Sequence, residues 1–176
     1  GGGSTEFILG QNREQYFRNS FRMGTVRLLE KFRPSDPPGA QELAQCRDYL
    51  RNFLNAQIAP ELKPALRGCA KPIHLVGTGG TTTILARMEK HLPDFDRAQI
   101  EATRLTLEQV RAHVERHWHL SLEERIKIIG LPPKRGDVIL FGLAIYEAVM
   151  EQFGFQELRI STRGLRYAAV LQEKIR

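Results

Sequence analysis

The chain has 176 residues, 41% hydrophobic and 26% charged, with a formal net charge of +6 and a pI near 9.6. That is the profile of one ordinary soluble globular domain, able to bury roughly 70% of its unfolded surface. No apolar run approaches the ~20 residues that a membrane span needs, and no membrane partner is expected. The basic balance favours anionic partners: nucleic acid, phosphate compounds or an acidic surface. The cations are spread along the chain, and only KPALR and LPPKR are locally basic. A nucleic-acid domain more usually gathers its Lys and Arg on one element and interleaves aromatics, so nucleic acid is an unlikely partner. Cys46 and Cys69 form no C-x-x-C pair. They read as reduced thiols in a cytoplasmic protein. No signal peptide is visible, and a chain that starts at Gly1 is expected to have lost what preceded it.

EFILG and YFRNSF read as short strands joined by the turn GQNRE. MGTVRLLEKF follows as a helical stretch with Val26, Leu29 and Phe32 on one side, and RPSDPPG is a loop. From Ala40 to about Ile58, the residues Leu43, Cys46, Leu50, Leu54 and Ile58 form the apolar stripe of an amphipathic helix. KPIHLVGTGGTTTILARMEKHL is a strand–loop–helix unit with its strand at Ile73 to Val76. Thr106 with Gln109, and Ser121 with Glu124, fit capping boxes that open two further helices. Asp137 to Phe153 is apolar around most of its circumference and predicts a buried helix. Leu158 to Ser161 is a last strand, followed by a turn through Gly164 and a closing helix. The order predicts an α/β fold, a mixed sheet flanked by helices.

Two stretches carry the chemistry. In LVGTGGTTT, glycines between a strand and a helix let backbone approach a ligand, and the helix N-terminus favours an anion. The hydroxyls of Thr78, Thr81 and Thr82 add candidate donors. No lysine follows, so this is not a nucleotide-triphosphate loop, and the third glycine of the dinucleotide fingerprint is missing. A tight structural turn accounts for the same letters. The opening GGGSTEF has two readings: a flexible linker without chemistry, or a second loop of exposed amides. In the second reading Ser4 and Thr5 offer hydroxyls, and Glu6 can hold a divalent metal or a water. Two such loops, each beside a strand, could grip a chain of phosphates from opposite sides.

With these blocks, and with MGTVRLLEKF, LSLEERIKIIGLPPKRGDVILFG and RISTRGLRYA in the same order, the sequence resembles the exopolyphosphatase and guanosine-pentaphosphate phosphohydrolase (Ppx/GppA) family. The resemblance runs from Gly1 to about Ala168 and implies a ribonuclease H-like, actin-like ATPase fold. It implies phosphate-binding residues at Gly1, Gly2, Gly3, Ser4, Thr5, Gly77, Thr78, Gly79, Gly80 and Thr81. It also implies a catalytic Glu6 that positions Mg²⁺ or the attacking water. Arg135, Asp137, Gly164, Leu165 and Arg166 match family blocks whose roles are expected to be mainly structural. Tyr167–Ala168 stands where members usually carry a glycine, which bears on backbone geometry there.

By the same resemblance, residues 1–176 are the second actin-like domain, truncated at its N-terminal edge. The first domain, with the glutamate used as catalytic base, is absent. The implied reaction is hydrolysis of a terminal phosphoanhydride of inorganic polyphosphate or guanosine pentaphosphate, by a chain inactive when isolated. Members are commonly dimers, so a homodimer is expected. Two other readings stay open: an actin-like or sugar-kinase-like ATP-binding domain, against which the EERIKIIGLPPKRGDVIL block argues, and a polyanion- or nucleic-acid-binding module. His113 and His117, four apart on a helix, could ligate zinc, but HVERH fits neither zincin motif, and a solvated face is expected. EERIK reads as surface, and Arg22 and Arg27 as surface cations able to reach a polyanion or pair with nearby acids.

Overall fold

Alternation along the first twenty residues folds back on itself as an antiparallel hairpin, β1 (Thr5–Gln11) and β2 (Glu14–Phe21). A computed structural model describes residues 1–12 and 14–164. The closing helix expected beyond Gly164, with Leu165, Arg166, Tyr167 and Ala168, lies outside the described residues. Pairing runs from Thr5↔Phe21 to Gln11↔Glu14 with a slip at Leu9/Gly10, and Asn12 turns the chain at φ 56°. The turn is therefore tighter than GQNRE suggests. One face of the hairpin packs inward: Phe7 meets Phe21 and Phe153 edge to face.

α1 (Thr25–Phe32) corrects the expected stripe. Leu28 is its most buried side chain, Leu29 and Phe32 pack at the core edge, and Val26 is 40% exposed. Val26 instead faces the opening loop: a Cβ added to Gly2 would lie 3.1 Å from its Cγ2.

The long stripe behaves as its spacing predicts. Leu43, Cys46 and Leu50 on α2 (Ala40–Phe53) are buried, as are Leu54 and Ile58 on the π-helical turn Leu54–Ile58. α3 (Ala59–Arg67) continues the rod. Pro60, which has no N–H for the turn before it, sits at the junction where the wider turn occurs. Both thiols are unpaired, and burial pushes Cys46 up to about 12.

A three-stranded mixed sheet has the order β3 (Leu75–Thr78), β5 (Glu157–Ser161), β4 (Arg104–Thr106). β3 runs parallel to β5 and β4 antiparallel to it. β3 starts later than its apolar run because its pairing begins at Leu75↔Leu158. Around the sheet lie α4 (Gly80–Glu89), α5 (Arg97–Ala102), α6 (Leu107–Trp118), α7 (Leu122–Arg125) and α8 (Ile139–Phe153), with a 3₁₀ turn at Pro133–Arg135. Both predicted capping boxes are present. α8 is the axis of the core, packed against α1, α2, α4 and α6. Phe141 on it stacks on Phe32 and takes the edge of Trp118.

Two charged residues depart from their sequence readings. Glu147, inside the helix read as apolar, is 1% exposed and takes two bonds from Arg47, at 2.7 and 2.8 Å. Arg125, read as surface within EERIK, is 4% exposed. Its guanidinium donates to the carbonyls of Gly136 at 2.9 Å, of His117 at 3.5 Å and of Leu120. It thereby satisfies acceptors left over at the end of α6 and ties them to the PPKRG loop.

Candidate functional site

The opening glycines are part of the fold. The N–H groups of Thr25, Val26 and Arg27, which a helix start leaves without partners, donate to the carbonyls of Gly1 and Gly2 at 3.0–3.1 Å. Arg27 Nε donates to the Gly3 carbonyl at 3.2 Å, and Thr5 Oγ1 donates to that of Met23. Arg27 thus holds the loop. Gly24 lets the two backbones meet, since a Cβ there would lie 2.4 Å from the Gly2 oxygen. The linker reading is excluded by this seating. A trans peptide carries its C=O and N–H on opposite sides. With the Gly1, Gly2 and Gly3 carbonyls turned to α1, the amides of Gly2, Gly3 and Ser4 point away from it.

The second loop turns at Gly79, whose φ of 104° suits glycine alone. Its carbonyl accepts from Thr83 N at 3.2 Å, Thr82 Oγ1 at 3.1 Å and Thr83 Oγ1 at 3.0 Å. The N–H groups of Gly80, Thr81 and Thr82 emerge from the start of α4. Beneath them Thr82 bonds Tyr146, whose burial pushes its hydroxyl up to about 12 and keeps it neutral.

A small cavity lies between the second loop and the start of α1, the helix on which the opening loop is seated. Its walls are Thr25, bonded to Gly1, together with Gly80, Thr81, Ile84, Arg135 and the start of α8 at Val138–Ile139. About 20 Å³ is free, room for one water-sized group. Arg135 stands at the rim: its Nη2 is 4.0 Å from where a Gly80 Cβ would be. It is exposed and makes no ion pair among the described residues. Asp137 does act locally, accepting from Val138 N–H at 2.7 Å.

The hydroxyl count is smaller than the sequence suggests. Each hydroxyl has one proton. That of Ser4 goes to Glu6 Oε1 at 2.5 Å, that of Thr5 to Met23, and that of Thr82 to Gly79. Among the described residues, the hydroxyls of Thr78 and Thr81 donate to no partner. Glu6 is exposed and follows the first loop directly. The Ser4 hydroxyl, aided by Ser20 Oγ at 3.0 Å, holds its carboxyl below the ordinary range, so it is an ionised acceptor. Both serines use Oε1, which leaves Oε2 for a cation or a water. Among the described residues no group of three or more His, Cys, Asp or Glu could hold a metal by itself.

The histidine expectation is overturned. His117 is fully buried and the His113 side chain is 11% exposed, because this face of α6 turns toward α4, where Glu89 meets His113 at 2.8 Å. No described helix is long and apolar enough to cross a membrane. Sequence reasoning missed Thr25, which carries no chemical signature, and undervalued Arg135, whose signal was the basic LPPKR.

The sequence profile of the Ppx/GppA phosphatase family matches residues 1–174. The chain is 31% identical over 169 residues to "Exopolyphosphatase 2" of Mycobacterium tuberculosis (strain CDC 1551 / Oshkosh), covering 92% of this chain and 50% of that protein. It is 27% identical over 170 residues to "Guanosine-5'-triphosphate,3'-diphosphate pyrophosphatase" of Aeromonas salmonicida (strain A449), covering 94% and 31%. The crystal structure of the Aquifex aeolicus Ppx/GppA family member superposes with a TM-score of 0.84 at 30% identity, over 99% of this chain and 54% of that one. The chain spans half or less of the length of these curated relatives. With an actin-like mixed sheet and this span of likeness, the chain belongs to the Ppx/GppA phosphatase family.

Proposed function

We propose that the chain is the phosphate-gripping part of a phosphohydrolase that releases terminal phosphate from inorganic polyphosphate or guanosine pentaphosphate. The observation that carries this is the cavity lined by Gly80 and Thr81 at the start of α4, by Thr25, whose N–H seats Gly1 of the opening loop, and by Arg135, which makes no ion pair among the described residues. In this reading Gly2, Gly3, Ser4, Gly80 and Thr81 donate main-chain N–H bonds to phosphate oxygens. Arg135 adds a charged fork, and all of them stabilise charge that spreads in the transition state. Glu6, ionised and with Oε2 open, orients water or a cation; its lowered pKa suits an acceptor better than a general base.

Mg²⁺ fits this setting, since it is usually bound by one or two carboxylates with the rest of its shell from water and substrate phosphates. Glu6 would hold it. When bound it neutralises phosphate oxygens. The base that removes the water's proton is assigned to a preceding actin-like domain. A strand running before Gly1 would suit the second edges of β1 and β3. Neither edge is paired among the described residues, and Ile8 and Val76 are exposed on those strands.

Phosphate release from both substrates tests the proposal. The 176-residue chain alone is expected to release none, and the longer protein with a preceding domain to turn over. Comparable rates would refute the division of labour. In the longer protein, Glu6→Gln is expected to lower kcat about 10²-fold, and Arg135→Ala to raise KM about tenfold.

A further inference from the structure

Two residues one turn apart on α8 lie beneath the second loop. Gly142 meets Thr81, since a Cβ there would lie 2.6 Å from Thr81 Cγ2 and 2.7 Å from its Oγ1. Tyr146 reaches the next residue of the loop and bonds Thr82. Gly77 on β3 leaves room for that contact: a Cβ on it would stand 2.4 Å from Thr82 Cγ2 and 3.0 Å from the Tyr146 hydroxyl. Each hydroxyl has one proton, which fixes the direction of the bond. Thr82 gives its proton to the Gly79 carbonyl at 3.1 Å, so the neutral Tyr146 hydroxyl donates to Thr82 Oγ1. Thr82 is 0% exposed, and no water competes for it.

This chain of bonds ends on the peptide group that aims the loop. The Gly79 carbonyl also accepts from Thr83 N at 3.2 Å and Thr83 Oγ1 at 3.0 Å, which draws it onto the first turn of α4. In a trans peptide the Gly80 N–H then points the opposite way, out of the helix start. Gly80 and Thr81 line the cavity with Arg135. Gly79, at φ 104°, has no side chain to hold that peptide plane, so the bonds from the threonines hold it. We propose that Tyr146 is a positioning residue of the second loop: through Thr82 it fixes the Gly79 carbonyl and thereby the aim of the Gly80 and Thr81 amides. Gly142 completes the seat by letting Thr81 rest on α8. The proposal builds on the phosphate-gripping reading of this loop, and it puts the support of the grip on a buried helix.

Two measurements test the relay and separate its failure from that of the phosphate reading. In the ligand-free chain, Tyr146→Phe should shift the backbone amide signals of Gly80 and Thr81 and leave those of Gly2, Gly3 and Ser4 in place. In the longer protein the same variant should lower kcat for phosphate release about tenfold, with KM changed less than about twofold. Thr82→Val should match it, and Thr82→Ser, which keeps the hydroxyl, should recover most of the loss. Tyr146→Phe/Thr82→Val should be no slower than Thr82→Val, since both residues act through Gly79. Should Thr82→Val fail to fold, the amide shifts and kcat of Tyr146→Phe still decide. Unmoved loop amides, an unchanged kcat, or losses that multiply in the double variant would each overturn the role of Tyr146. Loop amides that Tyr146→Phe shifts but tripolyphosphate does not would uphold the relay and refute the phosphate reading instead.

Discussion

Arg47→Met is expected to lower the unfolding free energy by about 3–5 kcal/mol, the cost of breaking a buried ion pair from one side. Arg47 on α2 bridges Glu147 on α8 by two bonds and reaches Glu115 on α6 at 2.7 Å. Glu147 has only 2% of its side chain exposed, so methionine would leave its carboxylate without water and without a cation. The bond to Glu147, strengthened by the one to Glu115, raises the Arg47 pKa further, so the guanidinium is charged throughout. Glu115 is half exposed, and its share is small. Urea unfolding of Arg47→Met, Glu147→Leu and the double variant separates the terms. The double variant should recover most of the loss, because removing both charges removes the desolvation penalty. A loss below ~1 kcal/mol in Arg47→Met would contradict the buried-pair account.

Stability is expected to fall by about 3 kcal/mol between pH 6.5 and pH 4 through His117 alone. Burial, with smaller contributions from His113, Arg116 and Arg125, lowers its pKa from 6.5 to about 4, against the raising effect of the His113 carbonyl. Above pH 6.5 folded and unfolded chains both carry a neutral ring, and there is no effect. Between the two values only the unfolded chain takes the proton, so each step down in pH favours unfolding, and the loss levels off below about 4. Glu6, Glu42, Asp96, Glu101, Glu124 and Glu157 have lowered pKa values, each chiefly through a hydrogen bond. Their contribution is present above their ordinary values and is lost only as pH falls through the lowered ones, beneath most of the His117 window. Urea midpoints measured from pH 7 to 5 should converge for wild type and His117→Gln. Parallel curves would show that His117 is not the group responsible.

Much of the architecture was legible because periodicity survives folding when a stripe meets one surface. Leu43 to Ile58 and the apolar α8 are of that kind, and the capping residues Thr106 and Ser121 mark helix starts by local chemistry alone. What escaped depends on contacts between distant segments. β4 has three residues and α5 six, too short for a period. Val26 looks like core, yet it faces the opening loop and stays 40% exposed. Arg125, Glu147 and His117 look like surface, or go unremarked, because their partners are carbonyls and charges on other elements. At the candidate site the two glycine loops were visible as motifs. The seating of the first loop on α1, and the cavity that Thr25 shares with Gly80, Thr81 and Arg135, required the fold.

Titration of the isotope-labelled chain with tripolyphosphate, followed by backbone amide shifts, tests the shared grip most directly. The amides of Gly2, Gly3 and Ser4 should move together with those of Gly80 and Thr81 along one binding curve, and Arg135→Ala should shift that curve for both groups alike. Movement of one loop without the other, or two curves with separate affinities, would contradict it.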